Sequence, residues 1–93
     1  MRIISQDGKI DLPYELVGIS THNIHQEQVI AKPIANTTKL YCVMGEYSTK
    51  EKAEKAMEML RTEYETYKQA KSSEYYFAFD YPKVFRFPPD SEV

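Results

Sequence analysis

Ninety-three residues and 10.9 kDa set the size of one domain, with 42% hydrophobic and 28% charged residues, as in ordinary globular chains. The net charge of −2 argues against a protein that coats nucleic acid. No apolar run approaches the roughly 20 residues that cross a membrane, no secretory signal pattern opens the chain, and one cysteine excludes an internal disulfide framework.

In chain order, Arg2–Ser5 is a short strand with Ile3 and Ile4, and Asp7-Gly8 is a hairpin-turn dipeptide. Lys9–Leu12 returns from it until Pro13 breaks or edges the pairing. Glu15–Thr21 reads as the next strand, Thr21–Glu27 as a polar loop, Gln28–Ile34 as a strand and Asn36-Thr37-Thr38 as a turn. Lys39–Tyr47 is the strongest strand, with Leu40, Cys42 and Met44 on one face and Tyr41 and Val43 on the other. Being apolar on both faces, it is expected at the centre of the sheet. Gly18 and Gly45 lie inside strand patterns, where glycine marks a bulge or a close backbone contact.

Ser48 and Glu51 form an S-x-x-E capping box. Beyond it Ala53, Ala56, Met57, Leu60, Tyr64 and Tyr67 recur at helical spacing and fall within an arc of about 100°, one buried stripe. The pattern predicts a helix over about residues 49–70. Tyr75–Phe79 and Lys83–Phe87 then alternate as strands, and residues 88–93 read as a frayed end.

Strands, one long helix, then strands predict an α+β fold. It is a small two-layer single domain over residues 1–93, an antiparallel β-meander with the helix on one face and C-terminal extended segments. Strands of about six residues span about 20 Å, and the helix about 35 Å. Tyr64 and Tyr67 near the helix end therefore overhang the sheet and are expected to meet a partner, with Phe77 and Phe85 as further interface anchors.

Catalytic and ligand-binding patterns are weak. His22 and His25 have a metal-ligand spacing, but no matching Cys/His pair follows, so they read as loop histidines. Cys42 sits mid-strand, where a thiol behaves as a small hydrophobe. Asp7, Asp11 and Glu15 cluster near a turn, with nothing that brings two of them together in an apolar pocket. No glycine-rich phosphate loop occurs. The expectation is a chain with no cofactor, metal or catalytic residues. Tyr75, Tyr76, Phe77, Phe79, Phe85 and Phe87 could stack bases, but only Lys83 and Arg86 accompany four acids over residues 74–93.

Three stretches carry a resemblance: Arg2-Ile3-Ile4-Ser5-Gln6-Asp7-Gly8-Lys9-Ile10-Asp11-Leu12-Pro13-Tyr14-Glu15; Gly45-Glu46-Tyr47-Ser48-Thr49-Lys50-Glu51-Lys52-Ala53 continuing to Ala56-Met57-Glu58-Met59-Leu60-Arg61; and Pro82-Lys83-Val84-Phe85-Arg86-Phe87-Pro88 with Asp90-Ser91-Glu92-Val93. In that order, and over about half the chain, they resemble short uncharacterised accessory proteins of phages, prophages and mobile elements of Gram-positive bacteria. The resemblance implies that genetic context, but no activity and no functional residues; the composition, with one cysteine and no signal pattern, gives the expectation of a cytoplasmic place in a bacterial host cell. The expectation is a non-enzymatic accessory protein acting through a protein partner or as a homodimer or small homo-oligomer. The alternative is a nucleic-acid-binding accessory protein.

Overall fold

The computed structural model describes residues 1–34, 40–71 and 83–93. The fold is α+β: the described residues form one α-helix and two three-stranded sheets. β1 (Arg2–Ile4) pairs antiparallel with β2 (Asp11–Pro13), Ile3 opposite Leu12. The turn between them is built as its sequence suggests. Gly8 has φ +78°, which an L side chain resists, and a Cβ there would also meet the Arg86 guanidinium at 3.2 Å. The Asp7 carboxylate accepts the Ser5 hydroxyl at 2.6 Å and the Lys9 N–H at 3.0 Å. The buried Ser5 hydroxyl also accepts the Ile10 N–H at 3.0 Å, so no polar group of the turn is stranded.

After Pro13 the chain makes a single 3₁₀ turn, Tyr14–Leu16, where a strand start is expected. This turn redirects the backbone, and β3 (Val17–Thr21) begins a second sheet instead of extending the first. β3, β4 (Gln28–Pro33) and β5 (Cys42–Glu46) form the antiparallel meander. The sheet that reads as one is therefore two.

The central strand of the meander is β4, not the segment around Cys42. Val29, Ile30 and Ala31 are 0–3% exposed, whereas Leu40 is 74% and Val43 37% exposed. The sequence pattern of β5 misleads because one of its residues is a bulge. Val29 lies opposite Gly45 and Ile30 opposite Val43, so Met44 has no ladder partner on β4. Its carbonyl instead accepts the Gln6 N–H at 2.7 Å. Gln6 Oε1 accepts the Glu46 N–H at 3.0 Å, so this residue takes the place of a strand along the outer edge of β5. Gly45 is required beside the bulge: a Cβ would lie 2.8 Å from the Tyr47 ring.

The helix, α1 (Lys50–Lys71), packs on β3 and β4. Its 22 residues span about 33 Å. Ala53, Ala56 and Leu60 are buried, with Met57, Tyr64 and Tyr67 half-buried beside them, so the expected stripe faces the core. The capping box is not the one read from the sequence. Thr49 Oγ accepts the Lys52 N–H at 3.1 Å, one position later than expected. Ser48 is engaged elsewhere: its N–H and its hydroxyl both donate to the Asp90 carboxylate, at 2.7 and 3.1 Å.

That contact reflects the largest departure from expectation. β6 (Val84–Arg86) pairs parallel with β1, Ile3 opposite Phe85, and sets Phe85 and Phe87 edge-to-face in the core at 5.3 Å between ring centroids. Residues 88–93 are then bound, not frayed. The Pro88 carbonyl accepts the Tyr47 hydroxyl at 2.9 Å and Gln6 Nε2 at 3.2 Å, and Asp90 takes Lys52 Nζ at 3.1 Å before a closing 3₁₀ turn, Asp90–Glu92. The Asn36-Thr37-Thr38 turn and the Tyr75–Phe79 strand fall outside the described residues.

Candidate interaction surface

Three large aliphatic side chains stand out at one end of the meander. Val17 pairs with Pro33, so Leu16 and Ile34 come side by side, with the Ile34 N–H donating to the Leu16 carbonyl at 3.1 Å. They are 66% and 67% exposed. Leu40 precedes by two the residue that pairs with Ala31, which brings it to the same end of the sheet. The 3₁₀ turn that ends in Leu16 begins with Tyr14, whose ring meets Tyr64 edge-on at 4.6 Å. Tyr67 follows at 6.1 Å from Tyr64. Aliphatic end and tyrosine row are thus joined through one turn.

Electrostatics on this surface are mild. Lys68 Nζ lies 5.7 Å above the Tyr64 ring, a cation–π contact. Partial burial raises the Tyr14 hydroxyl's pKa, the neighbouring Tyr64 adds to the rise, and the Arg61 guanidinium opposes it. A phenol held protonated donates a hydrogen bond and performs no base chemistry at neutral pH.

The predicted anchors separate here. Tyr64 and Tyr67 lie together on the half-buried flank of the helix. Phe85 is only 7% exposed, because pairing of β6 with β1 turns it inward against Ile3. It belongs to the core and leaves only a small area at the surface. Phe77 lies outside the described residues. Sequence reasoning missed Tyr14, Leu16, Ile34 and Leu40. The adjacency of Leu16 and Val17 was a usable signal, since alternation along a strand forces one of two consecutive apolar residues outward.

Among the described residues, the three carboxylates near the first turn are engaged in local contacts. Asp7 is held by Ser5 and Lys9, Asp11 pairs with Arg2, and Glu15 takes the Met1 α-amino group at 2.9 Å. Cys42 is half-buried in β5. Among the described residues no group of three His, Cys, Asp or Glu side chains is arranged to hold a metal ion. Among them, too, no helix is long and apolar enough to cross a membrane. A groove of about 290 Å³ runs between α1 and β6, floored by Met59 and Phe85 and rimmed by Lys55, Glu58, Thr62 and Glu63. Glu63 is tied to Lys83 at 2.9 Å.

No family model matches the sequence, and neither a curated protein nor a solved structure does.

Proposed function

We propose that this chain is a non-enzymatic domain that works by protein–protein contact, self-association first, through the surface formed by Leu16, Ile34 and Leu40 with Tyr14, Tyr64 and Tyr67. The observation that carries the reading is the exposure of three aliphatic side chains at one end of a sheet whose other apolar residues are mostly covered. Apolar surface left in water at one place costs free energy that a partner recovers by burying it, at about 25 cal/mol per Å². Tyrosines beside such a patch add rigid contact area with little loss of rotamer freedom. The setting we propose is that of an accessory protein of a phage or mobile element, inside a bacterial cell.

Sedimentation over a hundredfold concentration range tests the reading. The wild-type chain is expected to gain mass with concentration. The double substitution Leu16→Glu, Ile34→Glu is expected to remove that gain while changing stability by no more than about 0.5 kcal/mol per site, as for exposed positions. A wild-type chain that stays at 10.9 kDa throughout and retains no protein partner from a bacterial lysate overturns it. Retention of nucleic acid in place of protein would favour the nucleic-acid alternative.

A further inference from the structure

The loop between β3 and β4 is built around one imidazole. His22 Nδ1 accepts the backbone N–H groups of Ile24 and His25, both at 3.0 Å. Asn and Asp side chains close turns this way with an oxygen, accepting the N–H two residues on. A histidine can do so only with a lone pair on Nδ1, so the ring is neutral and carries its proton on Nε2. Protonation would place a hydrogen on Nδ1 facing two N–H donors, and three donors would then converge where one acceptor had been.

We propose that His22 is an acid-sensitive latch: its neutral ring holds the tip of the β3–β4 loop closed, and protonation opens the tip. Three titratable groups lie around it. The His25 ring lies 5.2 Å from that of His22. Tyr41, just before β5, faces His22 edge-on at 5.3 Å. Glu27 lies 3.8 Å from His25 Nδ1, next to the neck residue Gln28. The neck has its own bonds, His22 N–H to the Gln28 carbonyl at 3.1 Å and Gln28 N–H to the His25 carbonyl at 2.9 Å. Opening is therefore confined to the tip, where Ile24 is 79% exposed. The latch governs how that apolar side chain is presented, independently of the surface proposed above.

Nuclear magnetic resonance of the whole chain between pH 8 and pH 5 tests this. At pH 8 the ring nitrogens of His22 are expected to show the proton on Nε2, with the Ile24 and His25 amide protons displaced downfield. On acidification that displacement should vanish along the titration curve of His22 itself. Protection of the two amides, corrected for the intrinsic effect of pH, should fall about tenfold, the loss of two modest hydrogen bonds. His22→Asn keeps an acceptor without a titrating ring and should leave the two amides insensitive to pH. His25→Gln should leave the response in place. A proton found on Nδ1 at pH 8 overturns the proposal, as do amides that ignore the His22 titration. A response that survives His22→Asn but disappears in His25→Gln also overturns it.

Discussion

The two sheets are held in different ways. The meander β3-β4-β5 joins strands that are neighbours in the chain, through pairings such as Ile19 with Ala31. The sheet β2-β1-β6 is closed by a parallel pair between residues about eighty positions apart, with the Arg2 N–H donating to the Lys83 carbonyl and the Phe87 N–H to the Ile4 carbonyl, both at 3.0 Å. Their outer surfaces differ as well. The first sheet carries the Arg2–Asp11 ion pair on its outside, whereas the meander leaves Leu16 and Ile34 in water at one end. A strand pairing closed over a long stretch of chain has to offset a larger loop entropy before it stabilises anything. Among the described residues the locally built sheet and its connections also leave more aliphatic surface in water, with Ile24, Leu40, Ile34 and Leu16 66–79% exposed against Val84 at 42% in the other sheet.

The contrast breaks most severely at Phe87, which is 1% exposed and packs edge-to-face on Phe85. Phe87→Ala is expected to cost about 3–5 kcal/mol, read as a lowered denaturation midpoint. Hydrogen exchange should show β1 and β6 losing protection ahead of β3 and β4. Uniform loss across both sheets would mean that they unfold as one unit, and the distinction would fail.

Gln6 is the smaller lever, because it joins the two sheets through hydrogen bonds alone. Gln6→Ala keeps the backbone bond to Met44 but deletes the side-chain bonds to Glu46 and Pro88, for an expected loss of about 1–2 kcal/mol in chemical denaturation. It also uncovers the edge of β5, so light scattering should detect more aggregate than for the wild type.

Thr49→Ala should cost about 1 kcal/mol of stability through loss of the helix cap, and Ser48→Ala should cost less, since Asp90 still accepts the Ser48 N–H. The reverse order in thermal melts would restore Ser48 as the cap.

The effect at Asp90 is smaller still, since solvent screens the carboxylate. The Ser48 backbone N–H, with Lys52 beside it, holds its pKa below the usual carboxylate range. A carboxylate favoured in the folded state contributes stability above its unfolded pKa of about 3.9 and loses that contribution as pH falls through the lower folded value. Asp90→Asn should therefore make stability fall less steeply between pH 4 and pH 2. Asp7 and Asp11, depressed in the same direction, leave part of the slope in place. An unchanged acid limb would mean that the C-terminal segment does not hold the helix start in solution.

Local patterns were legible because their causes are local. Ala53, Ala56, Leu60 and Tyr64 recur every three or four residues, and that period by itself selects a helix and its buried face. Asp7-Gly8 carries its turn in two residues, one of which tolerates positive φ. The same period placed Tyr64 and Tyr67 on the stripe that faces the core, where both are half-buried. What the tertiary structure decided depends on groups far apart in the chain. No periodicity shows that Phe85 will pair with Ile3, that Asp90 will draw Ser48 out of its capping box, or that Gln6 will occupy the edge of β5. Each follows from a backbone or carboxylate group that must find a partner once the core has closed, and its nearest partner lies some forty to eighty residues away. Leu16, Ile34 and Leu40 became a single patch for that reason too: residue type made them apolar, and strand register alone brought them to the same end of one sheet.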